Sequence, residues 1–232
     1  MGWFVRQRDH FVLAARGAGW SYRVMTRIVP DFSFETLAAE RGCSFVVGVD
    51  EVGRGPLAGP VTAAAVRLLP GAIPEGLADS KTLSAAQRVA LAAQIMSCAE
   101  VGVGHASVVE IDAINILQAS FVAMRRAIAA LPQAPDHLLI DGNRLPQDLP
   151  CAAEPIVKGD ARCLSIAAAS IVAKVTRDAI MAGLDAQYPG YGWVRNAGYP
   201  TAAHKLALRA LGVTPVHRRS FAPVRNILCE EN

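Results

Sequence analysis

Asp50 and Glu51 stand side by side where an apolar run, Phe45 to Val49, comes to an end, and Gly53-Arg54-Gly55 follows directly after Val52. A second apolar run, ending at Ile140, meets Asp141, and Asp160 precedes a long stretch of small residues, "LSIAAASIVAKV". Four carboxylates drawn to one place repel one another strongly unless hard cations lie between them. An all-oxygen set suits Mg²⁺ or Mn²⁺, whereas catalytic zinc sites usually include His or Cys. Two such ions, about 4 Å apart, serve in-line displacement at phosphorus. Each acid also has an ordinary use. An Asp after a strand forms turns, Asp141-Gly142 is a favourable turn pair, and Asp160 can cap a helix. Spacing alone therefore leaves a metal centre and plain structural roles both open, although Glu51 has no capping role.

Gly53-Arg54-Gly55 is neither a Walker loop, since no Gly-Lys-Ser/Thr follows, nor a dinucleotide fingerprint, since the next glycine is Gly59. Glycines let a backbone approach a ligand closely, so that its N–H and C=O groups can read a small group such as a sugar hydroxyl. A tight turn carrying a solvated arginine fits the same residues.

The elements that must position these groups are legible as apolar runs between punctuation. Phe45–Val49 reads as a buried strand and Val61–Leu68 as a second that pairs back on it. Ser84 with Gln87 forms a capping box opening a helix through Ser97, and Ser107 with Glu110 opens a long helix to about Leu131. Short strands are expected at Val101–His105, Asp136–Ile140 and Pro155–Val157. A helix is expected from Asp160 or Ala161 to about Ala182, another from Ala202 to Leu211, and then an extended end through Pro215 and Pro223. Strands followed by alternating helices and strands predict an α/β fold, a mixed sheet flanked by helices with a helical C-terminal portion. Were the strands before Asp50 and Asp141 parallel neighbours, both acids would lie at the carboxyl edge where ligands bind. Asp50 and Glu51 share a site only if Glu51 already belongs to the turn, because successive strand residues point to opposite faces.

The 232 residues suffice for one full-sized domain; 52% are hydrophobic and 19% charged, with a net charge of +3. That balance permits a polyanionic partner without requiring one. Cys43, Cys98, Cys151, Cys163 and Cys229 are odd in number and never spaced as C-x-x-C, which suggests reduced thiols in a cytoplasmic protein. No apolar run reaches the roughly 20 residues needed to span a bilayer, so no membrane association is expected. Residues 1–33 are arginine-rich and acid-poor, without the apolar core of a signal peptide, and read as a poorly ordered extension or an upstream start with Met25 as the true one. Residues 34–232 read as the catalytic domain with its C-terminal helical region. His105, His137, His204 and His217 lack paired spacing and read as structural or surface residues.

"GVDEVGRGPLAGPV" resembles the first motif of the bacterial ribonuclease HII family, the type 2 ribonucleases H. The likeness continues through "DSKTLS", "EIDAINIL", "IDGN", "KGDARCLSIAAASIVAKVTRD", "GYPTAAH" and "HRRSFAPV", in the family's order, from about Phe34 to Val224. The resemblance implies a ribonuclease H-like fold and an endonuclease that acts on RNA–DNA hybrids and cuts 5′ of ribonucleotides embedded in duplex DNA. Products would be 3′-hydroxyl and 5′-phosphate ends. Asp50, Glu51, Asp141 and Asp160 match the catalytic acids that hold two Mg²⁺ or Mn²⁺ ions. Gly53, Arg54 and Gly55 match the motif that senses the ribonucleotide 2′-hydroxyl through the backbone, and Tyr199 matches the tyrosine that stacks on a sugar at the RNA–DNA junction. Lys81 and Lys174 sit in matching motifs and are candidates for phosphate contacts. The 2′-hydroxyl is what separates RNA from DNA at a site, which agrees with a backbone probe beside a tyrosine. Ala197 departs from the family, where a basic residue is common before the glycine of "GYPT", and the arginine-rich start inherits nothing. A monomer acting on hybrid or ribonucleotide-containing duplex is expected. Two rivals remain: a DNA nuclease or strand-transfer enzyme on the same fold, against which Gly53-Arg54-Gly55 and Tyr199 argue, and a binding module without catalysis, against which the four acids argue.

Overall fold

The computed structural model describes residues 29–230, so most of the arginine-rich extension, and Met25 with it, lies outside the described residues. Five strands form one sheet: β1 (Val46–Val52), β2 (Val61–Arg67), β3 (Glu100–Ala106), β4 (His137–Asp141) and β5 (Ala152–Ile156). Their order is β3-β2-β1-β4-β5, antiparallel on the β3-β2-β1 side and parallel from β1 through β4 to β5. The helices are α1 (Ser33–Glu40), α2 (Ala85–Cys98), α3 (Val108–Ala129), α4 (Leu164–Gln187), α5 (Trp193–Asn196), α6 (Ala202–Leu211) and α7 (Ala222–Glu230). The expected α/β class, a mixed sheet flanked by helices, is what the chain builds.

One face of the sheet packs on α3, through Val47, Val49, Ala63 and Ala65 against Ala119, Ala123 and Ala127. The other packs on α4 and α2, through Ala64 and Val66 against Ala168, Val172, Leu91 and Ile95. A third cluster, around Trp193, Tyr191, Met181 and Leu57, joins α4 to the C-terminal helices. The small residues of α4 have a definite purpose. A methyl group added at Gly48 of β1 would stand 2.2 Å from the Ser165 carbonyl carbon and 2.4 Å from the Ile166 nitrogen. The helix backbone therefore lies directly on the strand beside the acids.

Both predicted capping boxes form, at Ser84/Gln87 and Ser107/Glu110. Four expectations need correction. β1 does not stop at Val49 but continues through Glu51, which pairs with Ala63. The long third helix is broken at Asn115, whose φ of 67° is non-helical and whose side-chain oxygen accepts the Leu117 and Gln118 N–H groups as an internal cap. Asp160 does not start α4; it lies in a separate 3₁₀ turn, Gly159–Ala161, and α4 begins at Leu164. The end of the chain is not extended, because Pro223 falls in the first turn of α7, where its missing N–H costs nothing.

Residues close to the predicted boundary at 33 are tied to the domain. Asp31 makes a parallel bridge to Cys163, and the buried Glu35 carboxylate accepts the Ser165 N–H at 2.7 Å at the start of α4. All five cysteines are free. No helix among the described residues is long and apolar enough to cross a membrane.

Candidate active site

β1 and β4 are parallel, with Val49 opposite Ile140, so Asp50 and Asp141 emerge at the same carboxyl edge as expected. Glu51 remains in the strand, and its side chain turns to the α3 side, where its Oε1 accepts Arg54 Nη1 at 3.1 Å. Asp50 turns to the α4 side, near Ser170. The two acids nevertheless serve one edge, because Asp141 acts electrostatically on both. Asp160 completes the row: it acts on Asp141, and its Oδ2 accepts Lys81 Nζ at 2.8 Å. The turn that carries Asp160 is anchored to Asp141 itself, whose Oδ1 accepts the Gly159 N–H at 2.7 Å. Thus the sheet places three acids, and a hydrogen bond to one of them places the fourth.

A cleft of about 170 Å³ lies between these groups, lined by Asp50, Glu51, Asp141, Lys81, Lys174 and Tyr199 among others. A larger groove of about 400 Å³ beside Arg125, Leu131 and Pro150 contains none of the acids. Lys174 contributes to the cleft while pairing with Asp178 at 2.7 Å, one turn further along α4. Tyr199 is exposed, and its Cε1 lies 3.3 Å from where a methyl group on Gly55 would be. Every residue proposed from the sequence is therefore brought to this edge of the sheet.

Charge is poorly compensated here. Asp50 is held well above the usual carboxylate range, first by burial and then by Glu51 and Asp141. Burial also raises Glu51 and Asp141. Among the described residues no three His, Cys, Asp or Glu side chains form a ready-made metal cage. The acids are held instead by Arg54, Lys81 and the Gly159 N–H. The donor set still fits a hard divalent cation. It is all oxygen, Asp50 and Asp160 are buried, and among the described residues Glu51 Oε2 is a buried acceptor without a hydrogen-bond partner.

That imbalance makes a prediction. Between the ordinary carboxylate pKa and the raised value in the folded protein, the native state binds more protons than the unfolded chain, so stability falls as pH rises through this window. Asp50→Asn keeps the acceptor for the Glu51 N–H, found at 2.7 Å, and removes the charge. In EDTA at pH 8 the variant is expected to be more stable than wild type by about 1–2 kcal/mol, a Tm increase of a few degrees, with the difference shrinking toward pH 4. Melting curves at both pH values check it.

Several residues of the site were not assigned from the sequence. His204 and His217 are buried and adjacent, their rings tilted by 37°, with Nε2 atoms 3.3 Å apart. The Thr214 N–H donates to His217 Nδ1, so the His217 proton sits on Nε2 and points at His204. His204 Nε2 also accepts Trp193 Nε1 at 3.0 Å, leaving His204 Nδ1–H to donate to the Tyr199 carbonyl. Both rings are neutral, and burial beside His204 takes His217 down to about 4. The structural role expected for these histidines is thus to hold the Tyr199 loop. Their spacing in the chain carried no such signal; only the quoted motifs "GYPTAAH" and "HRRSFAPV" bracketed them.

A mixed five-stranded sheet with acids at the carboxyl ends of its two central parallel strands defines an α/β enzyme of the ribonuclease H-like class. Comparison with known proteins gives the family. Residues 47–224 match the family model of Ribonuclease HII. Over 202 residues the chain is 65% identical to Ribonuclease HII of Cereibacter sphaeroides, covering 87% of this chain and 95% of the relative. It is 64% identical to that of Paracoccus denitrificans, with coverage of 87% and 96%. The crystal structure of ribonuclease H2 from Pyrococcus horikoshii superposes with a TM-score of 0.67 at 27% identity, covering 81% of this chain and 98% of that one. The fold is shared by Bst-RNase HIII, crystallised in complex with Mn²⁺, at a TM-score of 0.63 and 20% identity, covering 84% of this chain and 72% of that one. The chain belongs to the ribonuclease HII family and is an endoribonuclease. Enzymes of this family degrade the RNA of RNA–DNA hybrids and depend on divalent metal.

Proposed function

We propose that this enzyme hydrolyses the RNA strand of hybrids and cuts on the 5′ side of single ribonucleotides embedded in duplex DNA, leaving 3′-hydroxyl and 5′-phosphate ends. The reading is carried by one juxtaposition: Asp50, Glu51, Asp141 and Tyr199 line the same cleft, and the Tyr199 ring lies over Gly55 of the glycine-flanked arginine loop. Asp50, Glu51, Asp141 and Asp160 would hold two Mg²⁺ or Mn²⁺ ions. When bound, the ions supply positive charge for the scissile phosphate and acidify the attacking water. Asp50 and Asp141, fixed at adjacent strand ends, orient the reacting centre. Glu51 and Asp160 complete the negative wall and help position the water. Lys81 and Lys174 would meet phosphates, so binding weakens as salt rises. The backbone of Gly53, Arg54 and Gly55 reads the 2′-hydroxyl, while Tyr199 stacks on the neighbouring sugar.

The deciding experiment is Mg²⁺-dependent cutting of a duplex with one ribonucleotide, beside an all-DNA control. Equal cutting of the control would favour a DNA nuclease, and metal-independent binding without cleavage would favour a binding module. Tyr199→Ala is expected to slow single-turnover cutting at a lone ribonucleotide about tenfold or more, the scale of one lost stacking contact. An unchanged rate removes Tyr199 from the site.

A further inference from the structure

Arg177 and Arg218 are fully buried, and neither forms an ion pair among the described residues. Taking a cation out of water costs several kcal/mol unless its donors are satisfied. Here backbone carbonyls satisfy them. Arg218 donates from Nε to Gly59 O at 3.0 Å, from Nη1 to Arg54 O at 3.1 Å and from Nη2 to Gly53 O at 2.6 Å. Arg177 donates from Nε to Pro60 O at 2.9 Å, from Nη1 to Ala197 O at 2.9 Å and from Nη2 to Ala58 O at 3.1 Å. The carbonyls belong to the loop that follows β1 and to the residue two before Tyr199. Burial lowers Arg177 to about 10, and burial together with its neighbour Arg177 lowers Arg218 to about 9, so both stay charged at neutral pH.

A trans peptide is planar, and its C=O and N–H point in opposite directions. Turning Gly53 O toward Arg218 therefore turns the Arg54 N–H away from it, and turning Arg54 O inward does the same to the Gly55 N–H. Among the described residues neither N–H has a hydrogen-bond partner, and both residues are exposed. Gly53 permits this geometry. Its φ is +94°, and a methyl group there would stand 2.1 Å from Arg177 Nε. Further bonds close the arrangement: Leu57 N–H donates to Gly198 O at 2.7 Å, and Arg218 N–H donates to Leu57 O at 2.8 Å. Behind it, Asp112 accepts the Arg219 and Ser220 N–H groups and fixes the backbone that carries Arg218.

We propose that Arg218 and Arg177 are positioning residues for substrate discrimination. They hold the carbonyls of the Gly53–Pro60 loop and of Ala197 inward, and so present the Arg54 and Gly55 N–H groups as preformed donors to the ribonucleotide. Two buried positive charges behind the loop also favour a polyanion in front of it. This rests on the reading of Gly53, Arg54 and Gly55 as the 2′-hydroxyl sensor. A lysine cannot replace either residue, because a single ammonium on a flexible stem lacks the fixed fork that reaches three carbonyls.

The test is made in a cleavage-deficient Asp141→Asn parent, comparing affinity for a duplex with one ribonucleotide and for the same duplex in all-DNA form. In the parent the ribonucleotide duplex binds tighter. Adding Arg218→Lys or Arg177→Lys is expected to reduce that preference roughly tenfold, the loss of one or two well-placed hydrogen bonds, while affinity for all-DNA duplex stays within about twofold. Ile128→Val, a buried change on α3 itself, serves as the control for general loosening and keeps the preference. Retention of the preference in both lysine variants overturns the positioning role, as does an equal loss in the Ile128→Val control. A parent without any preference instead overturns the underlying sensor reading. Should the lysine variants not fold, ¹⁵N-labelled parent decides. The Arg54 and Gly55 amide signals shift with the ribonucleotide duplex and not with all-DNA duplex, and unmoved signals overturn the proposal.

Discussion

Asp141→Asn is expected to reduce cleavage by at least about 10³-fold, equivalent to about 4 kcal/mol of transition-state stabilisation, while duplex binding is kept. Three features make this the most sensitive position. Asp141 is the acid that acts on Asp50 and Glu51 and is acted on by Asp160, so it lies electrically at the centre of the row. It ends β4 directly beside the end of β1, where an all-oxygen site needs its charge. Finally, its Oδ1 accepts the Gly159 N–H, and the amide oxygen of asparagine preserves that bond, so the turn carrying Asp160 stays in place. The fold is expected to remain intact, and removing one of several repelling charges favours the approach of phosphate. Single-turnover cleavage together with an equilibrium binding titration checks both halves. Wild-type rates would refute the assignment of Asp141 to the catalytic set.

Gly48→Ala is expected to cost about 3 kcal/mol or more, a Tm loss of roughly 10 °C, or to prevent soluble expression. The added methyl meets backbone atoms, not the end of a flexible side chain: the Ser165 carbonyl carbon at 2.2 Å and the Ile166 nitrogen at 2.4 Å. α4 cannot retreat without opening the buried contact of Ala168, Ala169 and Val172 with β2. Its first turn is also pinned by Glu35 through the Ser165 N–H. Lifting that turn moves Ser170, which sits between Ser80 and Asp50, so activity is expected to fall with stability. Thermal denaturation of the purified variant checks it, and an unchanged Tm would show that the strand–helix contact is looser than these distances.

The acids and the alternating apolar runs were legible in the chain because each is a local signal. An apolar run ending on a carboxylate, or a Ser and a Gln three residues apart, is written in consecutive residues and needs no partner elsewhere. The parallel pairing that makes neighbours of Asp50 and Asp141 stood only as a condition in the sequence, and the β1–β4 ladder meets it. The exact strand ends were not legible. β1 runs through Glu51 because β2 supplies Ala63 as a ladder partner, and nothing within Val46–Val52 announces it. Asn115 reads as an ordinary helix residue until its side chain is seen capping the second half of α3.

By itself, then, the sequence determined the mixed α/β class, the four acids as candidates, the glycine-flanked arginine loop, Tyr199 and, through its motifs, the family. Only the tertiary structure decided how these parts are held. Arg177 and Arg218 are separated by more than a hundred residues from the carbonyls of the Gly53–Pro60 loop that they bind, and charge on an arginine suggests the surface until burial shows otherwise. His204 and His217 form a pair only because α6 and the segment after it fold against Trp193. The physical reason is the same in each case. Chemistry is carried by side-chain type, which the chain states outright, whereas positioning is carried by backbone groups, whose partners depend on where distant segments come to rest.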